Sequence, residues 1–308
     1  MVTRLYTHPV FLEHITPPGH PERPDRLRAI ERALDDEAFE ALDRVEAPAG
    51  DEATILYAHP ADFVARVRTL IPETGIARID GDTTASPKSW QAAVTAIGAA
   101  NAGVDDVFEA RADNVFVAAR PPGHHAEKTT SMGFCLFNTA AIAARHAQKK
   151  HGAERVAIVD WDVHHGNGTQ DIFWDDPSVL YCSTHQMPLY PGTGAKSETG
   201  VGNIVNAPLS PHTGSDVFRD AFLSRVLPAL DNFAPDLIIV SAGFDAHHLD
   251  PLAEINLVED DFDWATGQLM ERARRHSGGR LVSLLEGGYD LHGLAFSVAA
   301  HVGRLMKG

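Results

Sequence analysis

Five short apolar runs, each followed directly by polar residues, constrain the fold of this chain more than any other feature. Each run is rich in β-branched residues, which is typical of strands that are buried on both faces of a sheet. Helix-like stretches separate the runs, and this order predicts an α/β fold with a parallel sheet between two layers of helices. The runs are residues 115–119, 156–160, 179–183, 237–241 and 281–285.

The stretches between the runs predict the helices and the domain organisation. We find no Gly/Ser-rich linker, low-complexity tract or internal repeat, so one domain spanning residues 1–308 is predicted. Ligands of open parallel sheets bind beyond the carboxyl ends of the strands, where the Pro-, Gly-, Asp- and His-rich loops of this chain lie. Helices are predicted at residues 90–110, 138–151, 215–233, 259–276 and 294–306.

Two of the runs end in residues suited to binding a metal ion. The run 156–160 continues into DWDVHHGNG at residues 160–168, and in an extended chain Asp160, Asp162 and His164 point the same way. The run 237–241 leads to Asp245 at the same predicted edge. Asp162, His164 and Asp245 would leave one coordination position open, as catalytic zinc sites do. The alternative is a solvated loop with a capping aspartate.

Two further strand ends carry candidates for acid–base chemistry. His124 and His125 follow the first run, with Asp160 and Asn167 as candidate orienting groups. A carboxylate raises the pKa of a histidine more than an amide does, so the two histidines could differ in role. Tyr289, after the last run, is a candidate donor to an oxyanion. The alternatives are a surface histidine pair and an ordinary half-buried tyrosine.

Charge and cysteine content narrow the class of protein. The formal net charge is −16, which argues against a nucleic-acid-binding surface and is compatible with a cationic substrate. Cys135 and Cys182 form no CxxC pair, so neither a cysteine zinc cluster nor a disulfide framework is expected. No run approaches the ~18 apolar residues of a membrane span, and residues 1–11 lack a signal-peptide core. A cytoplasmic protein without a membrane partner is the expectation.

These motifs together resemble those of the histone deacetylase family, in particular its class II and bacterial branch, which includes acetylpolyamine amidohydrolases. The resemblance extends from the loop at residues 20–24 to Tyr289. It implies an arginase/deacetylase fold whose central parallel sheet has about eight strands. The matching segments are residues 120–126, 133–138, 160–169, 190–194, 241–245 and 286–289.

The resemblance also implies a role for each candidate residue. It implies that Arg23 lies near an acetate-release path. In the hydrolytic mechanism that the residues predict, a protonated histidine, His125, protonates the leaving amine. The resemblance implies a structural K⁺ near Asp160, Ser183 and Thr184. The remaining implied roles are zinc binding by Asp162, His164 and Asp245, catalysis by His124, His125, Asp160, Asn167 and Tyr289, and an acyl-lysine channel walled by Gly133, Phe134 and Tyr190.

Several alternatives stay open at this point. An acylated lysine peptide is the preferred substrate, and Leu252 favours it, whereas Asp82 could attract an acylated polyamine instead. A non-catalytic acyl-lysine reader and a dimanganese hydrolase are rival classes. Fe²⁺ could replace Zn²⁺, since the same ligands tolerate both ions. A homo-oligomer is possible.

Overall fold

The apolar runs form neighbouring strands of one parallel sheet, as a computed structural model that describes all 308 residues shows. Eight strands belong to this sheet, and two very short ones pair separately as an antiparallel hairpin. The strands are β1 (Thr3–Thr7), β2 (Asp43–Glu46), β3 (Ala77–Arg78), β4 (Thr84–Ala85), β5 (Asn114–Val117), β6 (Val156–Asp160), β7 (Val179–Gln186), β8 (Ile204–Leu209), β9 (Leu237–Ala242) and β10 (Leu281–Leu285).

The strand order of the sheet is β2-β1-β5-β10-β9-β6-β7-β8, and every neighbouring pair is parallel. This confirms the predicted α/β fold with an eight-stranded parallel sheet. The four central strands β5, β10, β9 and β6 end at or directly before the predicted catalytic and zinc-binding residues. Their carboxyl ends therefore lie side by side along one edge of the sheet.

The pairing register aligns the strand ends closely. Asp160, the last residue of β6, pairs with Ser241 of β9 and with Ser183 of β7. Leu285, the last residue of β10, pairs with Ala242. Residues that follow these positions consequently enter the same space above the sheet.

The helices cover the sheet and have recognisable ends. Asn138 caps α4 by accepting a hydrogen bond from the backbone N–H of Ala141, and Gly152 ends the same helix with a φ of 69°. A π-helical turn over Phe222–Val226 joins α6 to α7. The helices are α1 (Asp25–Leu34), α2 (Ala61–Leu70), α3 (Ser89–Phe108), α4 (Thr139–His151), α5 (Asn167–Phe173), α6 (Ser215–Ala221), α7 (Leu227–Phe233), α8 (Glu259–His276) and α9 (Leu291–Lys307).

One contiguous core of buried apolar side chains extends from Leu5 to Leu305. Strand β5 lies between β1 and β10, so residues from the beginning, middle and end of the chain share that core. Both cysteines are buried and unpaired. None of the helices combines the length and the apolarity that crossing a membrane would require.

Candidate active site

The three predicted metal ligands lie together above the centre of the sheet. Nδ1 of His164 is 3.2 Å from Oδ1 of Asp162 and 3.0 Å from Oδ2 of Asp245. The His164 imidazole is 12% exposed, whereas both carboxylates are almost completely buried. One donor atom from each residue lies within 4.8 Å of the other two. The structure therefore brings the three side chains together at one place.

Backbone amides hold both carboxylates in place. The N–H of Gly287 donates to Oδ2 of Asp162 over 2.8 Å, and the N–H of Val163 donates to Oδ1 of Asp245 over 2.8 Å. A Cβ added to Gly287 would lie 2.3 Å from Oδ2 of Asp245, so only glycine leaves room for the carboxylate there. The remaining oxygens face His164.

The negative charges of the two buried carboxylates would be balanced by a bound cation. Burial, reinforced by the charge of Asp162, raises the pKa of Asp245 to about 7. Burial alone would lower the pKa of His164, but the two carboxylates raise it to about 10. A divalent ion would neutralise the two buried acids, and a donor set of two carboxylates and one imidazole fits Zn²⁺ or Fe²⁺.

The histidine pair lies beside this cluster, and a different group backs each ring. Nδ1 of His124 is 3.0 Å from Oδ2 of Asp160, and Nδ1 of His125 is 2.8 Å from Oδ1 of Asn167. The two ring centroids are 4.0 Å apart. The side-chain amide of Asn167 donates to Glu127 over 2.8 Å, which fixes its carbonyl oxygen towards His125.

The pKa values of the two histidines are consequently shifted in opposite directions. Burial alone would lower the pKa of His124, but the charges of Asp162 and Asp160 raise it well above its usual value. Burial, together with the positive charges of His124 and His164, lowers the pKa of His125 well below its usual value. Of the two rings, His124 therefore holds a proton more readily than His125.

A narrow cavity of about 220 Å³ leads to this cluster from the surface. Phe134 and Tyr289 meet edge to face across it, with centroids 5.8 Å apart, and Tyr190 meets His125 in the same way at 5.2 Å. Every residue named from the sequence for substrate binding lines it. The lining consists of Asp82, His125, Gly133, Phe134, His164, Leu189, Tyr190, Leu252 and Tyr289.

Gly133 occupies a position in that wall that no other residue fits. Its φ is +56°, and an added Cβ would lie 2.4 Å from Cδ2 of His125. The glycine therefore allows the backbone to pass directly against the face of the histidine ring.

Tyr289 lies on the opposite wall, held by its loop. Its backbone N–H donates to Oδ2 of Asp250 over 2.7 Å. The guanidinium of Arg26 lies 5.0 Å from the centroid of the phenol ring. Burial raises the pKa of Tyr289 well above its usual value, so the phenol stays protonated and can donate a hydrogen bond.

Arg23 does not lie at the site. Its side chain is 45% exposed and pairs with Asp25 over 3.7 Å. The buried arginine next to Tyr289 is instead Arg26, which donates to the carbonyls of Gly288 over 2.6 Å and Glu286 over 2.5 Å. Arg23 lies in the loop before α1, whereas Arg26 lies in the first turn of that helix.

The residues named for a potassium ion lie at the end of β6 and within the neighbouring strand β7. The hydroxyl of Tyr181 donates to Oδ2 of Asp160 over 2.9 Å, and Oγ of Ser183 is 2.9 Å from Nδ1 of His185. Oγ1 of Thr184 is buried without a hydrogen-bond partner.

Two buried acids at the site were missed by the sequence argument. Oε2 of Glu286 accepts from the backbone N–H groups of Gly123 over 2.6 Å and His124 over 3.2 Å, which fixes the loop that carries the histidines. Glu22 accepts a hydrogen bond from Arg120 over 2.7 Å, and Arg120 directly precedes the same loop. Glu286 follows a strand end, so the argument applied to Asp162 could have identified it, whereas Glu22 gives no local signal.

Comparison with known proteins gives the family. The sequence model of the histone deacetylase domain matches residues 20–305. The histone deacetylase-like amidohydrolase of Pseudomonas aeruginosa is 41% identical over 278 residues, covering 88% of this chain and 73% of that protein. A probable deacetylase of Archaeoglobus fulgidus is 37% identical over 300 residues, covering 95% and 83%.

The solved structures agree with the sequence relatives. The crystal structure of the HDA15 HD domain superposes with a TM-score of 0.94 at 38% identity, covering 99% of this chain and 88% of that one. The chain therefore belongs to the histone deacetylase family. Membership of this family of deacetylases and amidohydrolases supports a hydrolytic activity.

Proposed function

We propose that this protein is a metal-dependent deacylase that hydrolyses the amide of an acylated lysine side chain. The observation that carries the proposal is the meeting of the Asp162–His164–Asp245 set with His125 and Tyr289 at the inner end of one narrow cavity. Family membership supports the same reaction class.

Asp162, His164 and Asp245 would hold the metal ion, with Zn²⁺ preferred and Fe²⁺ as the alternative. When bound, such an ion polarises an amide carbonyl and lowers the pKa of a water molecule. One compact three-donor set favours a single ion over a dimanganese centre. Asp160 of β6 and Ser183 of β7, which pair in register, would hold a structural K⁺ together with the backbone carbonyl of Thr184.

His125 would move the protons. Its Nδ1 is engaged with Asn167, so Nε2 of the neutral ring is free to take a proton from the attacking water. The charged ring of His124, 4.0 Å away, disfavours a second positive charge. His125 would therefore give the proton up readily to the nitrogen of the leaving amine as the C–N bond breaks.

Tyr289 and the cavity walls would complete the site. The protonated phenol of Tyr289 can donate a hydrogen bond to the oxyanion that forms from the scissile carbonyl. The rings of Phe134 and Tyr190 would enclose the aliphatic stem of the substrate and exclude bulk water. The presence of both His125 and Tyr289 favours a catalyst over an acyl-lysine reader.

An acylated polyamine is the second candidate substrate. Asp82 lines the cavity, and burial together with the neighbouring Asp80 raises its pKa, so a cationic ligand that stabilises its charged form would be favoured. The apolar Leu252 on the same wall favours the lysine substrate. Parallel measurement of kcat/KM on acetyl-lysine peptides and on acetylputrescine decides between them. A much larger value for acetylputrescine would overturn the preference for lysine.

Tyr289→Phe is expected to lower kcat by about 10²–10³-fold with little change in KM, because it removes one donor to the oxyanion and keeps the ring in the cavity wall. Steady-state kinetics on an acetyl-lysine peptide measure this. Tyr57→Phe, at a tyrosine that does not line the cavity, is the matched control. An unchanged kcat would show that the phenol takes no part in the reaction.

Asn167→Asp is expected to move the acid limb of the pH profile of kcat/KM to higher pH by about one pH unit. A carboxylate behind His125 favours the protonated ring, so its pKa rises and the neutral base is lost at a higher pH than in the native protein. The measurement is kcat/KM across the pH range for both proteins. A shift to lower pH, or none, would contradict the role given to His125.

A further inference from the structure

A second group of metal-binding side chains lies outside the catalytic cavity. Oδ1 of Asp105 is 2.9 Å from Nε2 of His146 and 2.7 Å from Nε2 of His151. The three side chains are 16%, 11% and 12% exposed, so all of them are mostly buried. One carboxylate oxygen and two imidazole nitrogens therefore converge on one point.

This group lies towards the opposite ends of the strands from the active site. Asp105 is in the last turn of α3, which leads into β5, and both histidines are in the second half of α4, which leads into β6. The catalytic residues follow the carboxyl ends of β5 and β6, whereas this group precedes their amino ends. The two sites are thus separated by the length of the strands.

The spacing of the donor atoms is similar in the two groups. In the catalytic set, the distances from His164 to the carboxylates are 3.0 and 3.2 Å, and in both sets the donor atoms lie within 4.8 Å of one another. Two imidazoles and one carboxylate with an open position suit Zn²⁺, Co²⁺, Ni²⁺ or Cu²⁺.

A separate observation at the same place points to a ligand. Asn101, one helical turn before Asp105, lines a cavity of about 380 Å³ together with Asp105 and His146. Asn101 is 7% exposed, and its Oδ1 has no hydrogen-bond partner, although its amide donates to Thr54 over 3.2 Å. A buried carbonyl oxygen needs a partner, which a metal ion or a metal-bound water can supply.

We propose that Asp105, His146 and His151 form a second site for a divalent transition-metal ion, which ties α3 to α4. His151 is the last residue of α4, and the carbonyl groups at a helix C-terminus favour a positive charge nearby. This site is independent of the proposed hydrolytic reaction and of the metal that the reaction uses.

Lys150 is the rival occupant of the site. Its Nζ lies 2.7 Å from Oδ2 of Asp105 and partly neutralises the carboxylate. The lysine side chain is 50% exposed, so it can move into solvent, and Oδ1 of Asp105 faces the two histidines rather than the lysine. Without a metal, the four side chains form a hydrogen-bonded network around one acid.

The test counts metal ions on protein without a histidine tag. Holoenzyme whose catalytic site is loaded is incubated with excess Zn²⁺, passed through gel filtration and analysed for zinc by mass spectrometry. We expect two ions per chain for the native protein, and one for His151→Gln and for His146→Gln, with kcat unchanged. Thermal unfolding of the native protein should move to a higher temperature when the second ion binds.

Two further variants keep the test decisive. His212→Gln removes an exposed histidine elsewhere and should keep both ions. Lys150→Met keeps all three donors and removes the competing charge, so it should bind the second ion several-fold more tightly, even if the histidine variants fail to fold. One ion per chain in the native protein and in Lys150→Met would overturn the proposal, as would a second ion that all variants retain equally.

Discussion

Replacement of His125 by alanine is expected to lower kcat on an acetyl-lysine peptide by about 10²–10⁴-fold, the usual contribution of a general acid–base group. The loss should lie towards the upper end of that range, because the same ring would both take the proton from water and deliver it to the leaving amine. His125 contacts the cavity directly, whereas His124 lies behind it and does not line it. Steady-state kinetics measure the loss.

The metal content of the variant separates a catalytic from a structural effect. His125 is not among the three proposed metal ligands, so His125→Ala should keep the metal content of the native protein. His212→Ala, at an exposed position, is the matched control and should keep full activity. A His125→Ala protein with normal metal content and native kcat would contradict the assignment.

Glu22→Gln is expected to lower the free energy of unfolding by about 3–5 kcal/mol, because it leaves two buried guanidinium groups without their shared counter-charge. Glu22, Arg26 and Arg120 are all fully buried, and Arg26 is 3.1 Å from Oε1 of Glu22. Burial alone would raise the pKa of Glu22, but the charge of Arg120 lowers it well below its usual value of 4.5. Urea unfolding at neutral pH measures the change.

The pH dependence of that loss has a definite sign. A carboxyl group whose pKa is lower in the folded than in the unfolded protein adds stability above its unfolded pKa, and this stability is lost as the pH falls. The gap between native protein and Glu22→Gln should thus be full at neutral pH and shrink below about pH 4.5. Glu31→Gln, on the exposed face of α1, should change neither stability nor its pH dependence. An equally stable Glu22→Gln protein would contradict this account.

The meeting of Asp162, His164 and Asp245 was predictable because two simple rules of strand geometry produce it. Alternate residues of an extended chain point the same way, which aligns Asp162 with His164 directly after β6. The carboxyl ends of parallel strands share one edge, which brings Asp245 after β9 to the same place. The local sequence shows that each of these residues follows a strand. Only the fold shows that β6 and β9 are neighbours in the sheet.

The supporting side chains could not be predicted in this way, since their partners are distant in sequence. Glu22 and Arg120 are 98 residues apart, and Arg26 and Gly288 are 262 apart. The choice between Arg23 and Arg26 depends on how α1 packs. Strands β2 and β8 also gave no clear signal: β2 is an edge strand with alternating exposure, and β8 contains Pro208.

The difference in pKa between His124 and His125 depends both on the sequence and on the fold. The sequence identified the amide behind one ring and the carboxylate behind the other, which already predicted different pKa values. It could not tell that His164 and His124 flank His125, or that Asp162 reaches towards His124, with 3.8 Å between Oδ2 and Nε2. Those neighbours come from two strand ends, those of β5 and β6, which are not adjacent in the sheet.

The central claim is that Asp162, His164 and Asp245 hold one divalent ion on which hydrolysis depends. The most direct test measures turnover of an acetyl-lysine peptide and bound metal on the same samples while metal-free protein is reloaded with Zn²⁺, beside Asp245→Ala. We expect no turnover without metal, turnover that rises in proportion to occupancy of this site, and none from Asp245→Ala at any zinc concentration. Full turnover by rigorously metal-free protein, or by Asp245→Ala, would contradict the account.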